Sequence, residues 1–106
     1  MLPIALDAMG GDDAPDAVVE GACRARDEHG IDVLLVGPPD LLGDHHGLPV
    51  IPASEVIGMA DDPGSSVRRR KDATVVRAAE AVRDGRAAAT VSAGNTGAAM
   101  ASALFR

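Results

Sequence analysis

Apolar residues fall in short runs along this chain, and stretches with helical spacing separate them. Pro3 to Asp7 is a compact apolar run closed by an acid, which predicts a buried strand. Asp12, Asp13 and Pro15 follow with helix-start chemistry, an acidic cap and a proline in the first turn. Val18, Val19, Ala22, Cys23 and Ala25 then recur at helical spacing, with Glu20 and Arg24 set to pair at i,i+4 on the outer face. Gly30 stops that helix. Ile31 to Val36 predicts a second strand, buried on both faces and broken by Gly37-Pro38-Pro39. Asp40 to His46 has room for one or two helical turns, and Leu48 to Pro52 for a third strand interrupted by Pro49. Ala53 to Val67 shows no regular period, and its Gly58, Asp61, Asp62, Pro63 and Gly64 read as loop residues. Asp72 is placed to cap a helix with Val75, Val76, Ala79 and Val82 on one face and Gly85 just past its end. Ala88 to Ser92 predicts a fourth strand, and Asn95 to Phe105 a helix of small residues.

Strands alternating with helices predict an α/β fold, a parallel sheet with helices on both faces. Right-handed crossovers are expected throughout. In such sheets ligands bind beyond the carboxyl ends of the strands. Asp7 closes the first strand and Ser92 the fourth, so both lie on one edge of the sheet. If those two strands are neighbours, the turns that follow them share one site.

Composition narrows the class. The 106 residues suffice for one domain with a modest core. Hydrophobic content is 46% but aromatic content is 1%, from Phe105, so the core is aliphatic. With no aromatic platform for bases and a net charge of −6, a general nucleic-acid binder is disfavoured. Cys23 stands alone, so no internal disulfide and no zinc spacing exist. On a helix face it reads as a small core residue in a reduced, cytoplasmic protein. No apolar run is long enough to span a membrane, and the N-terminus does not read as a secretory signal.

The candidate chemistry lies in two glycine-rich turns. One is Gly10-Gly11-Asp12, after Asp7. The other runs Ser92-Ala93-Gly94-Asn95-Thr96-Gly97. A strand that ends in glycine and opens a helix leaves backbone N–H groups pointing at one spot, which suits an anion such as phosphate. Each turn alone is equally a tight turn or a close helix–strand approach. The pair, with Ser92, Asn95 and Thr96 as further donors, favours an anion site. Neither turn is a G-x-G-x-x-G or a P-loop. Asp7 and Asn95 are the candidate catalytic residues. A carboxylate at the end of a buried strand needs a partner, and Asp7 could orient a donor, hold a metal or accept a proton. Arg68, Arg69, Arg70 and Lys71 form a basic run in an acidic chain. It is either a solvated face or a patch that attracts phosphate or an acidic partner. His45 and His46 beside Asp44 read as exposed loop residues, and no metal site is expected.

At these residues a family resemblance becomes specific. Ile4-Ala5-Leu6-Asp7-Ala8-Met9-Gly10-Gly11-Asp12, Ala14-Pro15 and Val18-Val19-Glu20-Gly21 resemble the N-terminus of the bacterial phosphate acyltransferases of phospholipid synthesis. Ala53-Ser54-Glu55-Val56-Ile57 with Met59, Val67 to Asp72, and Ser92 to Ala98 continue the likeness in order. It covers essentially the whole chain. The first and last motifs are highly specific, and the middle ones support them.

The resemblance implies transfer of a fatty acyl group from acyl carrier protein to inorganic phosphate, with no cofactor. The product, acyl phosphate, would then pass to glycerol 3-phosphate through a membrane acyltransferase. It implies a three-layer α/β/α fold similar to the isocitrate and isopropylmalate dehydrogenases and to phosphotransacetylase. It also implies a cytoplasmic homodimer that associates peripherally with the inner face of the membrane. The family is roughly three times this length, which the domain-size rule alone would not give. Residues 1–106 would then be the N-terminal part of one domain, inactive alone. Asp13 stands where a histidine is common in the family motif. A phosphotransacetylase-like enzyme, a non-catalytic phosphate-binding module and, more remotely, a dehydrogenase are the rival readings.

Overall fold

The computed structural model describes residues 2–11, 13–56 and 61–94, without the side chains of Pro63, Val67 and Arg68. Four strands, β1 (Ile4–Asp7), β2 (Val33–Gly37), β3 (Val50–Pro52) and β4 (Ala89–Val91), alternate with helices α1 (Asp16–His29), α2 (Pro39–Leu42), α3 (Pro63–Arg69) and α4 (Thr74–Arg83). Every strand pairing is parallel, and the order across the sheet is β3-β2-β1-β4. The chain therefore steps outward from β1 to β2 to β3, then returns to lie beside β1. Right-handed crossovers running in opposite directions must place their helices on opposite faces.

The core confirms this. Alternate residues of β2 point to opposite faces. Val33 and Leu35 pack with Val19 and Ala22 of α1 and Leu42 of α2. Leu34 and Val36 pack with Ala78 and Ala81 of α4, together with Ala5 and Ile51. The molecule is thus an α/β fold in three layers, helix on sheet on helix. Leu35, Val36 and Val76 are fully buried, and burying an aliphatic side chain of this kind stabilises by about 1.5–3 kcal/mol. On the α1 side a trough of about 430 Å³, lined by Ile4, Leu6, Val18, Gly21, Val33 and Val91, stays open beside β4. Among the described residues no helix is long and apolar enough to cross a membrane.

Gly30 ends α1 as expected, in the left-handed region at φ 64°. Its N–H and that of Ile31 close back onto the carbonyls of Arg26 and Ala25. Several expectations are corrected. Pro15, not Asp12 or Asp13, sits at the N-cap of α1, with no side-chain cap; Asp13 contributes its carbonyl to the Ala17 N–H. Arg24 pairs with Glu28 at 3.2 Å rather than with Glu20, the same spacing taken in the other direction. The helix expected over Asp40 to His46 is a single turn, Pro39–Leu42.

The stretch read as irregular holds most of α3, whose end takes in Arg68 and Arg69 of the basic run. Asp62 caps it by accepting the Ser65 N–H at 3.0 Å, and Pro63 takes the first turn, where its missing N–H costs nothing. On α4 the buried set is Thr74, Val75, Val76, Ala78 and Ala81, and Val82 is 36% exposed. Val75 and Val76 are buried as expected, and Ala78 and Ala81 pack on Ala5, Leu34 and Val36 of the sheet. Asp72 does not cap α4, because its carboxylate is engaged elsewhere. The helix expected over Asn95 to Phe105 lies outside the described residues.

Candidate functional site

β1 and β4 are neighbours, with Ile4 beside Ala89, Ala5 beside Thr90 and Leu6 beside Val91. One further step in that register brings Asp7 beside Ser92. This junction is also where the topology switches. The connection that leaves β1 crosses one face, and the connection that enters β4 arrives across the other. A crevice opens at such a point beyond the carboxyl ends of the strands.

The two glycine turns meet there. Asp7, 2% exposed, accepts the Met9 N–H at Oδ1 over 3.0 Å. Its Oδ2 accepts the Ser92 hydroxyl at 2.8 Å. The Ser92 Oγ in turn accepts the Gly94 N–H at 3.1 Å. Gly10 is buried against this set. A Cβ on it would lie 2.8 Å from the Gly94 nitrogen, 2.9 Å from Ser92 Oγ and 3.0 Å from Asp7 Oδ2. Gly94 in turn has 3.3 Å between its own Cβ position and the Gly10 Cα. Gly10 has no room for a side chain beside the Gly94 backbone, and the space at Gly94 is tight. Gly11 adds a left-handed φ of 97°, which any side chain would strain.

Of the expected site residues, the structure thus brings together Asp7, Gly10, Gly11, Ser92 and Gly94. Asp12, Asn95, Thr96 and Gly97 lie outside the described residues. Among the described residues no group of three or more His, Cys, Asp or Glu is arranged to hold a metal ion. Asp44 accepts the His46 N–H at 2.9 Å in an exposed loop.

The basic run is placed beyond β3, two strands from β1. A bridge between Glu55 and Ala73 ties its end to the carboxyl edge of the sheet. Arg70 pairs with Asp61 at 2.9 Å and donates to the Val56 carbonyl at 3.0 Å. Arg69 donates to Ser65 Oγ and is exposed, as is Lys71. Of the three described cations, Arg70 is the one built into the fold.

Sequence reasoning missed a clamp at this edge. Asp72 accepts both the N–H and the hydroxyl of Ser54, just past β3, and the Arg77 Nε–H at 2.7 Å. The Ser54 hydroxyl, the Arg77 guanidinium and the Ser54 amide lower the Asp72 pKa to about 2. The clamp joins β3 to the first turn of α4 and so sets the approach of the basic run. Its members stand 18 and 5 residues apart, which no local pattern reveals.

The chain is similar to known proteins along almost its whole length. The chain is 47% identical to a phosphate acyltransferase of Heliobacterium modesticaldum, over 96% of its own length and 33% of that protein. It is 48% identical to a phosphate acyltransferase of Anaeromyxobacter sp., over 97% of its length and 31% of that protein. The corresponding protein of Limosilactobacillus reuteri is 45% identical over 98% of the chain. The chain spans about a third of the length of these relatives. A family model described as "Fatty acid synthesis protein" matches residues 2–106, and the chain belongs to that family.

Proposed function

We propose that the paired glycine turns form one wall of the site of a phosphate acyltransferase of phospholipid synthesis. The enzyme moves a fatty acyl group from acyl carrier protein to inorganic phosphate. The observation that carries this reading is the meeting of the two turns at the β1/β4 switch point, beyond the carboxyl ends of the strands, where an open α/β sheet binds its ligands. The names of the relatives support it.

A phosphate oxygen attacks the thioester carbonyl carbon, the carbon–sulfur bond breaks, and the carrier leaves as a thiolate that takes up a proton. The acyl group ends on phosphate as acyl phosphate. Phosphate is itself a competent nucleophile near neutral pH, so no serine or cysteine nucleophile is needed. The protein's work is to position phosphate and to stabilise the developing oxyanion. The segment that Gly94 opens, on through Gly97, takes phosphate or the oxyanion, with Asn95 and Thr96 as side-chain donors. Asp7, Gly10, Gly11 and Asp12 form the facing wall. Arg69 and Lys71 are exposed and, with Arg68, attract phosphate or the acidic carrier to an otherwise negative chain. The same reading carries a cytoplasmic homodimer that associates peripherally with the membrane.

The test is phosphate-dependent thiol release by a full-length protein carrying this sequence, with long-chain acyl carrier protein and acetyl-coenzyme A compared side by side. Release from the carrier protein is expected. Release only from acetyl-coenzyme A would replace this reading with a phosphotransacetylase. Release from neither, in a folded protein, would leave a phosphate-binding module.

A further inference from the structure

We infer that Asp7 and Ser92 are a positioning pair that holds the second glycine turn in place, not a proton-transfer pair. The inference rests on the site reading above and deepens it. Three observations carry it. Asp7 is 2% exposed, so its carboxylate is withdrawn from solvent. Each carboxylate oxygen already has a donor, Met9 N–H on one and the Ser92 hydroxyl on the other. A serine hydroxyl has a single proton to donate, and Ser92 gives it to Asp7 while its oxygen accepts from Gly94.

The result is a continuous strut. It runs from the Gly94 amide through Ser92 and Asp7 to the Met9 amide, and it links the first residues beyond β4 to the first residues beyond β1. A Cβ on Gly10 would come within about 3 Å of the Gly94 nitrogen, Ser92 Oγ and Asp7 Oδ2, so the two turns have little room to slide against each other. Ser92 therefore has no hydroxyl proton left for phosphate. The Gly94 N–H is committed too, and the part of Gly94 in the site is the close approach that its missing side chain allows. The strut fixes where the second turn begins relative to the first.

A carboxamide separates the two roles. In Asp7→Asn, the amide oxygen still accepts from Met9. The amide nitrogen can donate to Ser92 Oγ, whose second lone pair still serves Gly94. The strut survives, but no proton can be accepted. In Asp7→Ala and Ser92→Ala it is cut.

The experiment measures kcat and KM for phosphate-dependent thiol release in the full-length protein for all three variants. It also follows the Gly94 amide by nuclear magnetic resonance. The expected result is a fall in kcat of up to about 100-fold in both alanine variants, the scale set by a misplaced reacting group. KM for the thioester should change little. The Gly94 amide resonance should shift in both, and Asp7→Asn should recover much of kcat and the parental resonance. Asp7→Asn as damaging as Asp7→Ala would overturn the inference in favour of a proton acceptor. An unmoved Gly94 amide in Ser92→Ala would overturn the strut itself. If the parent protein releases no thiol at all, the functional reading fails on its own, and the amide comparison still decides the strut.

Discussion

Replacing Gly10 with alanine tests the site at its tightest point. The added Cβ would sit 2.8, 2.9 and 3.0 Å from the Gly94 nitrogen, Ser92 Oγ and Asp7 Oδ2. Optimal carbon contacts lie near 3.5–4.0 Å, so the turns must part by about 0.5 Å or more. None of the three groups is the free end of a flexible chain. Two are held by the 2.8 and 3.1 Å hydrogen bonds of the strut, and the third is backbone. Overpacking of this kind costs about 1–3 kcal/mol, and a hydrogen bond lost in relieving it adds about 1 kcal/mol. The total of about 2–4 kcal/mol corresponds to a fall in Tm of at least about 4 °C in a protein of a few hundred residues. Gly21→Ala is the matched control. Gly21 lies inside α1 with nothing within 4 Å of its Cβ position, so alanine there should stabilise by about 0.5–1 kcal/mol. Thermal and urea unfolding, followed by circular dichroism, compare the two variants with the parent. A Gly10→Ala protein that melts within about 2 °C of the parent would refute the packing described at the β1/β4 junction.

Asp72 predicts an acid-labile contribution to stability. Its pKa is lowered to about 2 in the folded chain from an ordinary 3.8. A lowered carboxylate pKa stabilises the fold above the unfolded value, and that stability drains away as pH falls through about 4 to 2. The carboxylate is 36% exposed, so solvent screening leaves about 1 kcal/mol. Urea unfolding across that pH range should show the loss, and Ser54→Ala should shrink it; an identical acid limb in Asp72→Asn would count against the clamp. Thr74 is 1% exposed, and its hydroxyl lacks a hydrogen-bond partner among the described residues. Thr74→Val should therefore be neutral or stabilising by about 1 kcal/mol, and a clear destabilisation in the melt would reveal a partner. Asn95→Ala should lower turnover strongly with little change in Tm, and unchanged kinetics would remove Asn95 from the site.

What the sequence made legible was what it writes in consecutive residues. The run Ile4 to Asp7 followed by Gly10-Gly11 is a strand and its turn, and so is Thr90 to Gly94. Both could be placed on the carboxyl edge before any contact was known. Local chemistry failed where a distant partner outbid it. Asp72 has the form of a helix cap, yet Ser54 and Arg77 take its oxygens, and the Arg77 guanidinium is a charged donor that a cap N–H is not. Asp62-Pro63 shows the opposite error. An acid before a proline is as good a helix start as it is a loop; among Gly58, Asp61 and Gly64 it read as loop, although Asp62 closes the cap by accepting the Ser65 N–H.

The site needed only one fact that the residues could not supply locally, that β4 lies beside β1. That adjacency follows from how the sheet is filled. With β2 and β3 laid down outward from β1, the near edge of β1 is the open position next to the most central strand. A return over the opposite face to that position also lets Ala78 and Ala81 of α4 cover Ala5, Leu34 and Val36. Any other place for β4 would leave β1 as an edge and that alanine face without its sheet. The meeting of Asp7 and Ser92 is then a consequence of burying aliphatic surface on both faces. The candidate chemistry sits at the one point where the chain must reverse direction to do so.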